Sequence, residues 1–321
     1  MSKLCFFRPT LLALVSLLAA AQACAQDYPS RPIRIVVANA AGGAPDVIIR
    51  LVSPELSKLL GQPVVIENKT GAGSIIGYEF VAKQVTTDGY TLAVCTVPTL
   101  ASMPVAVKNL RFDPLRDLPP VIGIADGRLA LFTSADSPWK NFNDMVSEAK
   151  GNPGKLNYGS SVFLIQVLSE AIIRARGIDV ASVFYRDSSG LSTAVMSSQV
   201  HFGMLSLPTV TALGNKVKIL AVTGAERAPQ YPGVSTFVEL GLPQVQSTGF
   251  SLNAPVGVPK TVLAKLHALT SQVLKQPEIV ARFKQLGFDV ADQAPDAAAK
   301  RLLDEGALFA DIARKAGIQP Q

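Results

Sequence analysis

Few residues of this chain could do covalent chemistry. It has two histidines, His201 in a strand-like stretch and His267 in a helical one. A serine hydrolase needs a base beside an activated serine, in α/β hydrolases within a G-x-S-x-G turn, and that pentapeptide is absent. H-E-x-x-H, C-x-x-C and the G-x-x-x-x-G-K-[ST] phosphate loop are absent as well. Gly71-Ala72-Gly73-Ser74-Ile75-Ile76-Gly77 comes near a dinucleotide fingerprint, but its third glycine falls one residue late.

What recurs instead is a loop with hardly any side-chain chemistry, set where a strand gives way to a helix. Asn39-Ala40-Ala41-Gly42-Gly43-Ala44-Pro45 follows an apolar strand and precedes an amphipathic helix that Asp46 can cap. Gly71-Ala72-Gly73, Thr96-Val97-Pro98-Thr99 and Gly159-Ser160-Ser161 stand in the same place after other strands. Such loops offer backbone N–H groups, and the unpaired amides of a helix N-terminus attract anions. One terminus contributes about 0.3–1 kcal/mol, or up to about 2 when partly buried. Micromolar affinity needs about 8 kcal/mol, so one loop alone is an ordinary turn and only several converging loops make a site.

The elements that must bring those loops together alternate. Ile33, Ile35, Val36 and Val37 form a β-branched run suited to a strand buried on both faces, and Gly61 closes the helix after it. Val64 to Ile66 is the next strand, Ser74 to Lys83 a helix and Tyr90 to Thr96 a third strand. Pro98 to Pro120 reads as irregular and proline-rich, and Val121 to Ile124 as a connecting strand. A second block carries strands at Leu129 to Thr133, Leu156 to Tyr158, Ser182 to Tyr185 and Val200 to Leu205. Helices at Phe142 to Lys150, Leu164 to Arg176 and Leu191 to Ser198 separate them, and Val217 to Val222 reads as a second connecting strand.

The last third offers the strand Ser251 to Ala254 and helices near Lys260 to Leu274, Glu278 to Gln285 and Pro295 to Ala316. That is too little sheet for a domain, so it must complete the first. Alternation of strands and helices indicates right-handed βαβ units. The expectation is an α/β fold of two lobes, each a mainly parallel sheet flanked by helices. One lobe takes residues 26–123 with 222–321 and the other 124–221, joined by two crossing strands. The strand C-termini then face a cleft, where open α/β sheets bind ligands.

Residues 1–25 read as a secretory signal cleaved after Ala25, so that the mature chain is exported. Lys3 and Arg8 give a basic start, Leu11 to Ala21 an apolar core too short to span a bilayer, and Ala23-Cys24-Ala25 a small-residue cleavage site. The rival reading, an acylated Cys24, expects Leu where Ala21 stands. Cleavage lowers the formal charge from +6 to +4 and leaves Cys95 as the single cysteine, so no internal disulfide forms. Roughly 300 residues with 48% hydrophobic content fill two cores of ordinary size. Scattered lysines and arginines, never interleaved with aromatics, argue against nucleic acid, and no second segment is long enough to cross a membrane.

Several stretches together resemble one family. They are Asp27-Tyr-Pro-Ser-Arg-Pro-Ile-Arg34, the Gly42-Gly43 loop with Asp46, Gly61-Gln-Pro-Val-Val-Ile-Glu-Asn68, Gly71-Ala-Gly73 and Asp88-Gly-Tyr-Thr-Leu92. Asn152-Pro-Gly-Lys-Leu-Asn-Tyr-Gly-Ser160, Leu220-Ala-Val-Thr223 and Phe237-Val-Glu-Leu-Gly-Leu-Pro243 continue the likeness over the whole mature chain. They resemble the Bug-type receptors, the TctC-like extracytoplasmic solute-binding proteins of tripartite tricarboxylate transport systems.

The resemblance implies a two-lobed periplasmic-binding-protein fold of type II, the Venus flytrap. It also implies capture of a small organic carboxylate through amides, hydroxyls and waters, delivery to membrane transporter subunits, and neither enzyme activity, cofactor nor metal. The candidate ligand-binding residues are Ala40, Ala41, Gly42, Gly43, Ala44 and Asp46; Gly71, Ala72 and Gly73; Thr96 and Val97; Ser160, Ser161 and Val162; Tyr185 and Arg186; and Ser206. Arg186 reads equally well as a surface partner of Asp187.

The chain departs from the family at these loops. Gly43-Ala44-Pro45-Asp46 replaces Gly-Gly-Ser-Thr/Ala-Asp, losing a hydroxyl and an N–H. Ser161-Val162-Phe163-Leu164 replaces a longer glycine- and hydroxyl-rich loop, and Gln166 stands where histidine is common. These changes predict a monocarboxylate with an apolar body. They also motivate a rival reading, a receptor repurposed to signal through a sensor protein; a secreted hydrolase lacks its base.

Overall fold

The structure, a computed structural model, describes residues 28–161, 163–185, 187–243, 245 and 247–316. The expected signal segment 1–25 with Cys24, and the candidates Val162 and Arg186, lie outside the described residues. Strands β1 (Ile33–Val37), β2 (Val64–Asn68), β3 (Thr91–Thr96) and β4 (Pro120–Gly127) belong to a first sheet. A second sheet takes β5 (Leu129–Ser134), β6 (Leu156–Ser160), β7 (Val180–Phe184), β8 (Phe202–Ser206) and β9 (Val217–Val222). The first is then completed by β10 (Thr248–Asn253) and β11 (Phe288–Gln293), as the shortage of sheet in the last third requires.

The first sheet runs β11-β4-β10-β3-β1-β2 and the second β7-β6-β8-β5-β9. Both are mixed rather than mainly parallel. β1 pairs β2 and β3 in parallel, whereas β10 runs antiparallel to β3 and β4, and β11 antiparallel to β4. In the second sheet β6 is parallel to β7 and β8, while β5 is antiparallel to β8 and β9. The antiparallel pairs arise at the strands next to the crossings, whose sequences read as bare connectors. Val121 to Ile124 is the middle of β4, paired on both sides, and Val217 to Val222 is an edge strand of the second sheet.

Each sheet is a middle layer. Ile33, Ile35 and Val37 point into one core with Ile48, Val52 and Leu56 of helix α1 (Ala44–Leu60), while Val36 and Ala38 point into another. Residues of one strand thus feed two cores by simple alternation, which is why β1 is apolar apart from Arg34 and β3 is apolar between its end threonines. Around the first sheet also pack α2 (Ile75–Lys83) and α3 (Val97–Ala106). The second sheet carries α4 (Phe142–Gly151), α5 (Phe163–Arg176), α6 (Ser188–Met196) and α7 (Leu207–Ala212). The first is closed by α8 (Lys260–Leu274), α9 (Pro277–Gln285) and α10 (Pro295–Ala316).

Three elements were not expected, among them α7, in a stretch to which the sequence reading gave no element. α3 occupies a stretch read as irregular, because Pro98 sits in its first turn, where a missing N–H costs nothing. β11, with the sequence FDVADQ, has no apolar alternation and is half-buried throughout. The crossings also differ from the expected ones. The outward crossing is Gly127-Arg128-Leu129, between β4 and β5. After β9 the chain stays with the second core through Phe237, Leu242 and Val245 and rejoins the first sheet only at Thr248. Phe237, Leu242 and Val245, in a stretch the sequence reading gave to the first lobe, thus pack with the second core. α5 leans the other way: its Val167 is buried in the core shared by Val36, Leu100 and Phe309 of the first lobe.

Candidate functional site

The loop after β1 is held by its own carboxylate. Asp46, 2% exposed, lies in the first turn of α1, and Gly43, not Asp46, occupies the cap position. Asp46 Oδ2 accepts the Gly42 N–H at 2.9 Å, and its two oxygens share the Arg50 Nε–H. Asn68 Nδ2 donates to Asp46 Oδ1 at 2.9 Å and to the Asn39 carbonyl at 3.1 Å, tying the end of β2 to the end of β1. The Arg50 hydrogen bond, with those from Gly42 and Asn68, holds the Asp46 carboxyl down to about 2, against the opposing pull of burial. Gly42 has φ +82°, a conformation that a residue with a Cβ resists, while Gly43 does not require it.

This geometry changes which amides are free. Gly42 N–H points to Asp46, and Gly43 N–H to the Ala40 carbonyl at 3.1 Å. The glycine pair therefore shapes the loop, and Asp46 is its internal brace, not a group left for a ligand. With Pro45 lacking an N–H, the first turn of α1 offers the Ala44 and Asp46 amides, which no intrahelical carbonyl can reach. At the end of β3 the Thr96 N–H is taken by the Tyr78 hydroxyl at 3.0 Å, and the first turn of α3 offers Val97 and Thr99.

These strand ends meet in a cavity of about 480 Å³ between the lobes. Of the candidates, Gly42, Ala44, Thr96 and Ser206 line it; Ser206 joins Thr209 through a 2.7 Å hydroxyl pair. Pro45, Asn39 and Thr99 extend the same loops into the wall. The rest of the lining comes from residues that no local pattern singled out: Arg128 of the outward crossing, Thr248 and Phe250 of the returning strand, Pro208, and Leu286 with Phe288 before and within β11.

Arg128 is the cavity's cationic side chain, 11% exposed. Its Nε donates to Asp289 of β11 at 2.6 Å and its Nη1 to the Glu226 carbonyl, leaving Nη2 without a partner among the described residues.

The remaining candidates lie elsewhere. Gly71, Ala72 and Gly73 form a tight turn before α2, with positive φ at Gly71, Ala72, Gly73 and Ser74, and do not line the cavity. Gly77, the late third glycine of that stretch, is there for close approach: a Cβ on it would stand 2.7 Å from Ala38 Cβ and from the Lys69 carbonyl. Ala40 and Ala41 are exposed at the rim of the β1 loop, and Val97 is packed in a core. Tyr185 packs its ring on Gly159 and gives its N–H to the Ser160 carbonyl at 2.7 Å. Asp187 caps α6 through the Gly190 N–H at 2.8 Å. Ser160 and Ser161 are buried at the end of β6 with hydroxyl oxygens that have no partner among the described residues, and Asn39 Oδ1 is in the same state at the end of β1. Buried polar atoms are nearly always paired, so both strand ends carry an unmet demand, and of these residues Asn39 lines the cavity.

Comparison with known proteins agrees with this architecture. Residues 48–318 match the family described as "Tripartite tricarboxylate transporter family receptor". A UPF0065 protein encoded in the gbd 5′ region of Cupriavidus necator is 34% identical over 273 residues, covering 82% of this chain and 81% of that one. A Rhodopseudomonas palustris protein solved with adipate is 28% identical with a TM-score of 0.75, covering 92% of this chain and all of that one. MatC from Rhodopseudomonas palustris with bound malate is 29% identical with a TM-score of 0.70, covering 89% and 99%. Two lobes around a cleft, strand ends with unmet polar demand and a match over most of the chain give one result: this chain belongs to the tripartite tricarboxylate transporter receptor family, the Bug-type periplasmic solute-binding proteins.

Proposed function

We propose that this receptor holds a small organic carboxylate between its lobes and delivers it to a tripartite tricarboxylate-type membrane transporter. The observation that carries the reading is the 480 Å³ cavity in which the first turns of α1 and α3 meet Arg128. A carboxylate there receives the guanidinium Nη2 and helix-start amides, donors that attract anions and discourage cations. The relatives solved with adipate and malate support the carboxylate class. The lobes close by rotation about Arg128 and the return crossing near Ser247, and residues 1–25 direct export to the periplasm.

The site favours one carboxylate over several. Among the described residues one cationic side chain lines the cavity, and Phe250, Phe288, Leu286 and Pro45 make much of the rest apolar. A second buried carboxylate without a charged partner is costly. The ligand is therefore a monocarboxylate with an aliphatic or aromatic body.

A thermal-shift panel of mono-, di- and tricarboxylates tests this. A ligand at 100 times its dissociation constant adds about 2.7 kcal/mol, roughly a few degrees for a chain of this size. Stabilisation by 3-phenylpropanoate or medium-chain aliphatic acids, and not by citrate, is expected. Stabilisation by citrate alone would refute the monocarboxylate, and silence of the whole panel would refute the carboxylate receptor.

A further inference from the structure

A second cavity, of about 510 Å³, lies behind the crossings. Asp126 and Gly249 are paired in register on β4 and β10, and Gly127 and Phe250 are their next neighbours along each strand. Side chains alternate along a strand. Asp126 lines the second cavity whereas Gly127 and Phe250 line the first, so the two lie against opposite faces of the first sheet.

Both lobes build it. Leu164 and Leu168 of α5 and Val245 come from the second lobe, Leu308 and Glu305 of α10 from the first. Its polar centre is Arg301. Nη1 donates to Asp126 at 2.6 Å, Nε to Glu305 at 2.9 Å and Nη2 to the Ser247 carbonyl at 2.8 Å. At the rim Lys300 and Asp304 neutralise each other at 2.6 Å and are exposed.

The charges at that centre do not balance. Two carboxylates, Asp126 and Glu305, face one guanidinium. Glu305 is 8% exposed, and its Oε2 is buried without a hydrogen-bond partner among the described residues. Burial, with the Asp126 charge adding to it, pushes the Glu305 carboxyl up despite the Arg301 contact. What the centre lacks is therefore a donor carrying positive charge, and what surrounds it is apolar.

We propose that this cavity is a second ligand site, taking a small molecule with a cationic amine head and a compact apolar body. The amine donates to Glu305 Oε2 and neutralises the excess carboxylate, while the body lies among Leu164, Leu168 and Leu308. The front cavity, with Arg128, selects the opposite charge. The two sites therefore sort ligands by the sign of the head group.

Three probes with a common phenyl body test it on the full mature chain by calorimetric titration: 2-phenylethylamine, 2-phenylethanol and 3-phenylpropanoate. The amine is expected to bind with one-to-one stoichiometry, even with 3-phenylpropanoate already present at saturation, and the alcohol to bind at least about tenfold more weakly. Glu305→Gln, which keeps the shape and removes the charge, is expected to weaken the amine by about tenfold or more. Should that variant fail to fold, Leu168→Phe, which fills the cavity, must abolish amine binding instead. The proposal is overturned if the amine gives no heat, if the alcohol binds as well as the amine, if 3-phenylpropanoate competes with the amine, or if a folded variant retains wild-type amine affinity.

Discussion

Arg128→Met removes the front cavity's guanidinium and keeps an apolar stem of similar length. Two effects must be separated. Asp289, 37% exposed, loses its ion pair but can turn to water, so folding loses only about 1 kcal/mol. The ligand carboxylate loses a charge-assisted hydrogen bond from Nη2. A bare ion pair at about 4 Å and an effective dielectric near 20 would be worth about 4 kcal/mol. Asp289 at 2.6 Å already neutralises much of that charge, so the hydrogen-bond figure of about 1.5–3 kcal/mol governs instead. That corresponds to a dissociation constant raised about 10- to 150-fold. Calorimetric titration with 3-phenylpropanoate gives the affinity, and urea unfolding of the ligand-free protein gives the stability. An affinity within about twofold of wild type in a folded variant would show that the carboxylate sits elsewhere in the cleft.

Two further substitutions address the loops. Asp46→Asn should cost about 1–3 kcal/mol at neutral pH, because the Gly42, Asn68 and Arg50 hydrogen bonds lose their anionic acceptor. Since the Asp46 carboxyl is lowered in the folded state to about 2, its stabilisation is present above its ordinary range near 4 and disappears as pH falls through about 2. Unfolding followed from pH 5 to 2 should therefore show a shallower acid loss in the variant, and parallel curves would remove Asp46 from the account. Gly77→Ala should destabilise by about 1–3 kcal/mol, since its Cβ would stand 2.7 Å from Ala38 Cβ and the Lys69 carbonyl. Helix propensity alone gains about 1 kcal/mol from the same change, so a raised urea midpoint would refute the close-packing reading.

What the sequence disclosed was local. β1, its glycine loop and α1 follow within one stretch of chain, and their apolar periodicity and turn residues are enough to place the strand end. The pairing of hydroxyl-bearing or amide-rich strand ends with helix starts was legible for the same reason. Arg128 was not. It stands alone between two strands, and what makes it a cavity residue is contact with Asp289 and Glu226, 161 and 98 residues away. The role of Asp46 was half legible: an acid at a helix start was visible, but only the folded loop shows its carboxylate turned back on Gly42. β11 escaped because an edge strand half-buried along its length needs no apolar alternation.

The two arginines also bear on how the lobes move. Arg128 joins the outward crossing to β11 and to the segment that follows β9, and Arg301 joins β4 to the return crossing through Asp126 and the Ser247 carbonyl. Each therefore fastens two strands of chain at the pivot, one on either face of the first sheet. Bonds at a pivot change length least during a rotation, so these pairs can persist while the loop ends of α1 and of β6 approach each other. α5 has less freedom in the proposed rotation, because Val167 is buried in the first lobe's core and opening would have to withdraw it. Re-exposing one buried valine costs about 1.5–3 kcal/mol, a term that favours the closed arrangement even before a ligand arrives. A ligand held as proposed, by Arg128 Nη2 and the helix starts, would add to that bias from the front of the crossings, without having to break either arginine clamp.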